Sequence, residues 1–302
     1  MSKTAKEGQP FWGRYIFSDA GSSPSSSDSS TLRVALLGSY WRGLAISKAL
    51  ESLEGEDPSI CQVVGFATDD IWDPKALISK AKRIWQYCSQ EERESIQEAL
   101  IEINAKRNVP VYTGPVKNPS YLDFMRSWLR PDVILMGTYG QLVSEDVFLF
   151  PRYGMYNFHP SDLGNGKYPG PNPFRYTWED DAEITCMTMC YVDGGIDTGA
   201  PVGRSVDIAT GIAELSKLDL DPEVIFDVWV KTMHFVTAEA AGVMADATVR
   251  KIHEQRKPLE QLDFSSFFDD EQRAYYLTAV PDLTKAALKE MELLTPGVNL
   301  CK

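Results

Sequence analysis

The sequence lacks the features that mark secreted, metal-binding and membrane-spanning proteins. Its five cysteines form neither an even-numbered set nor a C-x-x-C pair, so no disulfide framework is expected. Cys186 and Cys190, four positions apart in a predicted strand, are interpreted as half-buried thiols, and no metal is expected. No apolar run approaches eighteen residues, and the N-terminus has no apolar segment typical of a signal peptide. These absences predict a reduced, cytoplasmic protein.

Positive charge is also scarce. The chain carries 30 Lys and Arg against 43 Asp and Glu, a formal net charge of -13. Such a surface repels phosphate backbones and anionic lipid, so neither nucleic acid nor a membrane is expected as a partner. The acidic excess does not by itself indicate a cationic ligand, because acidic surfaces commonly serve solubility.

Composition along the chain predicts three segments. Residues 1–30 include the run SDAGSSPSSSDSS, which has almost nothing to bury and predicts a flexible, Ser-rich N-terminal tail. Residues 31–210 contain most of the apolar runs and are predicted to form the principal domain. Residues 211–302 have helical periodicity at their start and are predicted to be a helical C-terminal extension packed on that domain.

Short apolar runs separated by helical stretches fill the principal domain. The runs are Leu32–Gly38, Gln62–Ala67, Val109–Tyr112, Pro131–Gly137 and Gly154–Phe158. The intervening helices are predicted at about Arg42–Leu53, within Pro74–Lys106, and at Pro119–Arg130. Apolar runs without alternation are typical of strands covered on both faces, so this βαβ succession predicts an α/β fold with a parallel sheet.

The chain then changes character. Glu183–Val192 alternates in hydrophobicity and predicts one longer strand, with Pro201–Val206 as its antiparallel partner. From Pro222 apolar residues recur every three or four positions and predict a helix with one buried stripe. The members of that stripe are Val224, Ile225, Val228, Trp229, Thr232, Met233 and Val236. Pro258, Pro281 and Pro296 are expected to break the remainder into short pieces.

Three polar residues stand where ligands are expected to bind. Asn157 and His159 lie two apart at the end of an apolar strand, so both side chains leave the same side of the sheet edge. Asp197 lies in the glycine-rich loop 193–199. An amide and a protonated imidazole can stabilise negative charge on a carbonyl oxygen, and a carboxylate can accept a proton from an attacking nitrogen. The set therefore suits acyl transfer to nitrogen, although the same three residue types are more often structural.

Four runs of the sequence resemble the folate-dependent formyltransferase family, which includes glycinamide ribonucleotide, methionyl-tRNA and sugar N-formyltransferases. The runs are Gly137–Val143, Phe150–Ser161, Gly170–Pro173 and Asp193–Gly199. The sharpest parts are N-x-H-P-S and D-x-G-I-D-T-G, and the similarity covers about residues 32 to 210.

This resemblance implies a doubly wound, mostly parallel Rossmann-like sheet, with residues 31–210 as the catalytic domain. It implies 10-formyltetrahydrofolate as co-substrate and Asn157, His159 and Asp197 as the catalytic residues. It also implies a pterin pocket. The residues expected to line it are Gly137, Tyr139, Gly140, Gln141, Leu142, Val143, Val192, Asp193 and Gly194.

Two departures from the family pattern fall on the expected acceptor side. The loop after His159 is two residues longer and contains Lys167, which is either a contact to an acidic acceptor or a solvated lysine. In the turn after the first strand, Tyr40 and Trp41 replace the small residues of a phosphate cradle. They either flank a non-phosphorylated acceptor or pack in the core.

Together these observations predict an N-formyltransferase that acts on the amine or hydroxylamine of a small molecule, such as an amino sugar or modified amino acid. The alternatives are a glycinamide ribonucleotide or methionyl-tRNA formyltransferase, a formyltetrahydrofolate hydrolase, and an inactive folate-binding module. A homodimer is left open.

Overall fold

The computed structural model describes residues 30–69 and 87–291, together with the backbone of residues 14–16. The strands are β1 (Arg14–Ile16), β2 (Leu32–Gly38), β3 (Cys61–Thr68), β4 (Val111–Thr113), β5 (Val133–Gly137), β6 (Met155–His159), β7 (Ile184–Thr185), β8 (Thr188–Tyr191), β9 (Pro201–Arg204) and β10 (Ile208–Ala209). The α-helices are α1 (Tyr40–Glu56), α2 (Gln90–Lys106), α3 (Pro119–Phe124), α4 (Glu145–Phe148), α5 (Pro173–Glu179), α6 (Ile212–Leu215), α7 (Pro222–Gln255), α8 (Asp270–Tyr276) and α9 (Ala279–Glu290). A π-helical turn, Met125–Leu129, continues α3, and 3₁₀ turns lie at Leu163–Asn165 and Phe264–Phe267.

The main sheet has eight strands in the order β1-β4-β3-β2-β5-β6-β8-β9. The five strands from β4 to β6 are parallel. The strands at the two edges are antiparallel: β1 pairs with β4, and β8 pairs with β6 and β9. The chain first builds outward from β2 to β4, then returns to place β5 on the other side of β2. The direction of winding therefore reverses between β2 and β5, and the predicted doubly wound, mostly parallel sheet is confirmed.

Helices cover both faces of this sheet. Along β2, Val34 and Leu36 belong to one apolar cluster and Ala35 and Leu37 to another. The first cluster includes residues of α1, α2 and α7, and the second includes residues of α3 and α4. Side chains alternate between the two faces of a strand, and here each face meets a helix layer. This is why the strand is apolar without alternation.

Helix α7 is the longest element, with 34 residues. It begins after the N-cap Asp221, whose side chain accepts a hydrogen bond from the Glu223 N–H. It ends before Arg256, whose backbone has the left-handed conformation. Twenty of its residues are buried, so it is apolar on more than the single predicted stripe. It packs closely on α1, because a Cβ at Gly242 would lie 3.3 Å from the carbonyl oxygen of Ala45.

Two predictions in the second half of the chain were wrong in detail. The single strand predicted for Glu183–Val192 is two short strands that belong to different sheets, since β7 pairs with β10 and β8 pairs with β6 and β9. Between them, the Met187 N–H donates to the hydroxyl of Ser205, which replaces regular ladder pairing. Pro281 does not break the chain. It lies in the first turn of α9, where a backbone N–H has no intrahelical partner to lose.

Some predictions fall outside the described residues. The tail predicted at residues 1–30 lies outside the described residues, except for the three residues of β1 and for Ser30. The part of the predicted helical stretch before residue 87 and Pro296 also lie outside them. The antiparallel partner predicted for the Glu183–Val192 segment is observed as β9. Within residues 30–69 and 87–291, no helix has the length and apolar character needed to cross a bilayer.

Candidate active site

A cavity of about 580 Å³ opens where the parallel strands end. Strands β3, β5 and β6 contribute residues at or just after their carboxyl ends, and the loop after β8 forms the opposite wall. This position coincides with the reversal of strand order, where open α/β sheets bind their ligands. Asn157, His159 and Asp197 all line the cavity.

The side chains of Asn157 and His159 each contact the carboxylate of Asp197. The Asn157 Nδ2 donates to Oδ1 of Asp197 over 3.0 Å. Nδ1 of His159 lies 3.3 Å from Oδ2 of the same carboxylate. Asn157 and His159 both come from β6, whose alternation directs them to one side, and Asp197 is brought to them by the loop between β8 and β9. The structure therefore places the predicted amide, imidazole and carboxylate in one cluster.

The histidine ring is held from both sides. Its Nε2 lies 3.0 Å from the carbonyl oxygen of Tyr168, which can only accept a hydrogen bond. Nδ1 faces the carboxylate of Asp197. The doubly protonated imidazolium satisfies both contacts at once, because each nitrogen then donates. His159 is 6% exposed, so these two partners fix the ring in place of water.

Asp197 is positioned by its backbone conformation as well as by its hydrogen-bond partners. Asp197 has φ +53°, a left-handed conformation that is uncommon outside glycine. Its Oδ2 accepts a hydrogen bond of 2.9 Å from the Gly170 N–H. Burial works to raise the pKa of Asp197, but the hydrogen bond and charge of His159, with the donors from Gly170 and Asn157, hold the pKa below its ordinary value. Asp197 is therefore an ionised carboxylate at neutral pH.

Most residues predicted to form the pterin pocket line the cavity. The eight that do are Tyr139, Gly140, Gln141, Leu142, Val143, Val192, Asp193 and Gly194. Gly137, the ninth, does not. A Cβ at this position would lie 2.6 Å from Cδ1 of Ile46 and 3.2 Å from Cγ of Arg42. Gly137 therefore allows α1 to pack against the end of β5 rather than contacting a ligand.

The predicted acceptor-side residues are not among the described residues that line the cavity. Tyr40 is 1% exposed, and its hydroxyl lies 2.8 Å from the sulfur of Cys88, so the ring packs in the core. Trp41 is half-buried and meets Phe235 edge to face, with ring centroids 6.0 Å apart. Lys167 is exposed, with its ammonium 5.8 Å from the Tyr168 ring. The structure corrects the ligand-contact interpretation of Tyr40, because its buried ring cannot reach the cavity.

Three buried polar residues of the cavity were missed by the sequence analysis: Arg42, Asp69 and His234. Each has at least one buried polar atom for which the described part of the chain offers no hydrogen-bond partner. A signal existed for Asp69, since it follows the end of β3, as Asn157 and His159 mark the end of β6. No such signal existed for His234, because it lies in α7 and reaches the cavity only through the packing of that helix.

The environments of these three groups differ. Burial raises the pKa of Asp69 to about 7, against hydrogen bonds from the Ser39 hydroxyl and the Gly140 N–H. Burial lowers the pKa of Arg42 to about 9, against the opposing charge of Asp197, so the guanidinium remains charged at neutral pH. Burial, and then the charge of Arg42, hold the pKa of His234 well below its ordinary value, so this ring is neutral.

The fold and this cluster define an α/β protein with an amide, an imidazole and a carboxylate joined at the switch point of its sheet. Residues 75–211 match the family described as formyl transferase. Methionyl-tRNA formyltransferase of Thermotoga maritima is 33% identical over 123 residues, which are 40% of this chain and 35% of that protein. The same enzyme of Acetivibrio thermocellus is 28% identical over 174 residues, 56% of this chain and 50% of that protein. Over residues 75–211 the chain is therefore similar to the formyl transferase family.

These relatives are longer than the shared region, and the chain spans half or less of their length. Among solved structures, glycinamide ribonucleotide transformylase 1 from Geobacillus kaustophilus aligns with 72% of this chain and 99% of its own, at 20% identity and a TM-score of 0.49.

Proposed function

We propose that this protein transfers a formyl group from 10-formyltetrahydrofolate to the amine of a small-molecule acceptor. The observation that carries the proposal is the hydrogen-bonded cluster of Asn157, His159 and Asp197 inside a cavity at the switch point. In this assignment residues 31–210 are the catalytic domain. Residues 211–302 are an extension whose α7 supplies His234 to the cavity wall.

The cavity fits a flat heteroaromatic ring with polar edges. Its wall offers apolar surface from Leu142, Val143 and Val192 and polar groups from Gln141 and Asp193. Leu142 is 58% exposed, as expected of an apolar side chain that a bound ring would cover. These residues would hold the folate, which supplies a formyl group bonded to nitrogen.

The three clustered side chains have distinct roles in this proposal. The Asn157 amide donates its second N–H to the carbonyl oxygen as negative charge develops on it, and His159 shares with that oxygen the Nδ1–H that faces Asp197. Asp197 accepts the proton that the attacking nitrogen loses, directly or through one water, and a proton is returned to the folate nitrogen as its bond to the formyl carbon breaks. Asn157 and His159 contact the carboxylate before the reaction, so the base and the two donors are already within hydrogen-bonding reach of each other. This organisation reduces the reordering that the reaction requires.

Formyl transfer to methionyl-tRNA is a second candidate, because relatives that match part of this chain carry that name. The charge of the chain argues against it. A net charge of -13 disfavours contact with a phosphate backbone, and tRNA recognition depends on positive surface. A small amine is therefore the better acceptor.

A screen with donor present tests the proposal. The protein is incubated with 10-formyltetrahydrofolate and a panel of amino sugars, amino acids and hydroxylamines, and the products are analysed by mass spectrometry. The proposal predicts an N-formyl product and an equal amount of tetrahydrofolate. Formate released at the same rate with and without amine would instead show a hydrolase. Tight donor binding with neither product would show a folate-binding module.

A further inference from the structure

Arg42 is the one charged side chain of the described cavity wall that is more than nine-tenths buried and has two donors unused. It is 4% exposed. Its Nη1 donates to the Thr138 hydroxyl over 2.6 Å, whereas Nε and Nη2 have no hydrogen-bond partner among the described residues. A buried guanidinium with unsatisfied donors is costly, since each lost hydrogen bond and the charge itself go uncompensated.

The two unused nitrogens are adjacent on one edge of the guanidinium. Nε and Nη2 direct parallel N–H groups, and this edge matches the two oxygens of a carboxylate. The third nitrogen is held by Thr138 on the end of β5, so the plane of the group is fixed. The arrangement is that of a preformed fork for a two-oxygen anion.

The surroundings favour a singly charged anion. The neighbouring cavity residue His234 is neutral, and its unpartnered Nδ1 adds a polar contact without adding charge. It is held by the Phe174 ring, whose centroid lies 4.7 Å away at nearly a right angle. One guanidinium balances one carboxylate, whereas a phosphate dianion would retain excess negative charge near the ionised Asp197.

Arg42 and Asp197 present opposite charges to the same cavity. A molecule that bears both an amine and a carboxylate matches this pair, with the amine at Asp197 and the carboxylate at Arg42. We propose that the formyl acceptor is an amino acid or another carboxylate-bearing amine, and that Arg42 binds its carboxylate through Nε and Nη2. This inference rests on the proposed function for the identity of the ligand as the acceptor.

Ligand binding tests the inference without requiring turnover. The thermal stability of the protein, saturated with tetrahydrofolate, is measured with each L-amino acid and with the same amino acid as its carboxamide. At least one amino acid should raise the Tm while its carboxamide does not. An Arg42→Met variant should lose this difference, because it keeps the length of the side chain but not the fork.

The free protein provides an independent readout. Arg42→Met removes a buried unpaired charge, so the unliganded variant should melt a few degrees above the wild type, not below it. With an accepted amine, the variant should raise KM for that amine about ten- to a hundredfold and leave KM for the donor unchanged. Arg42→Lys should recover only part of the affinity for the amine, since an ammonium cannot bind a carboxylate in bidentate fashion. Arg152→Met, an exposed arginine paired with Asp132 beside the start of β6, is the matched control and should behave as wild type.

Three results would overturn the inference: equal stabilisation by acids and carboxamides, stabilisation by neither, or a change in donor KM alone in Arg42→Met. Failure of formyl transfer with the Arg42-dependent acid preference intact would instead refute only the proposed function.

Discussion

The side chain of Asn157 donates a hydrogen bond of 3.0 Å to the carboxylate of Asp197, a residue 40 positions further along the chain. The two residues belong to different elements, β6 and the loop between β8 and β9. The antiparallel pairing of β6 with β8, which aligns Asn157 with Cys190, brings that loop back to the end of β6. The contact between Asn157 and Asp197 therefore depends on the pairing of β6 with β8.

Gly170, in the loop after β6, is predicted to position the Asp197 carboxylate through its backbone N–H. Gly170 has φ +96° and donates to Oδ2 of Asp197. Gly170→Ala is expected to lower the free energy of unfolding by about 1–2 kcal/mol, because this φ is strained for any residue with a Cβ. It should also lower turnover about ten- to a hundredfold, since the N–H is moved away from the carboxylate. Urea unfolding and steady-state kinetics measure the two effects.

Gly166→Ala is the matched control for this prediction. Gly166 lies in the same loop with φ +69° and open space at its Cβ position, but it does not contact Asp197. It should lose a similar amount of stability and keep its turnover. Equal losses of turnover in the two variants would show that loop strain, and not the contact to Asp197, is responsible.

The buried carboxyl of Asp69 should make stability depend on pH. Its pKa is raised to about 7 in the folded protein, whereas an unfolded aspartate titrates near its ordinary value. The folded state therefore binds more protons, and the associated stability is present at low pH and lost as the pH rises to about 7. Asp69→Asn should be more stable than the wild type at pH 8, with an upper limit of about 4 kcal/mol, and should gain least near pH 4.

Urea unfolding of both proteins between pH 4 and 8 checks this prediction, with the exposed Asp123→Asn as control. A gain for Asp69→Asn that is the same at every pH would mean that the carboxyl is not protonated preferentially in the folded state.

The sequence predicted the parallel sheet because strands covered by helices on both faces are apolar throughout, as β2 is. It also predicted that Asn157 and His159 share an edge, since strand alternation and the position at a carboxyl end are local properties. The resemblance added the double winding of the sheet and the catalytic partnership with Asp197.

Long-range packing determined what the sequence could not predict. The same family pattern that pointed to Tyr139 pointed to Gly137, but only the position of α1 shows that Gly137 is needed for close packing. Arg42 and His234 become neighbours of the cavity because α7 packs along α1. Neither residue carries a local signal, since a lone arginine in a first turn and a lone histidine in a helix are common.

Helix α7 is predicted to unfold together with the sheet. Trp229 is fully buried, and its Nε1 donates to the carbonyl of Thr210 over 2.8 Å. Trp229→Ala should lower the free energy of unfolding by about 3–5 kcal/mol through the cavity it leaves. Calorimetry and far-UV circular dichroism should each show one transition, at the same lowered temperature.

Phe235→Ala on the same helix is the control. Phe235 is 41% exposed, so its removal should cost much less than the loss of Trp229. A transition in Trp229→Ala that splits in two, with the sheet unaffected, would show that the C-terminal helices form a separate unit.

The central claim is that Asp197 acts on the reacting nitrogen. Its most direct test is a single-turnover measurement of tetrahydrofolate formation from 10-formyltetrahydrofolate and an accepted amine, comparing the wild type with Asp197→Asn and with the exposed Asp219→Asn. The amide keeps the shape of the side chain but cannot accept the proton. Asp197→Asn should therefore react at least about a hundredfold more slowly, with donor affinity nearly unchanged and Asp219→Asn normal. An unchanged rate in Asp197→Asn would contradict the account.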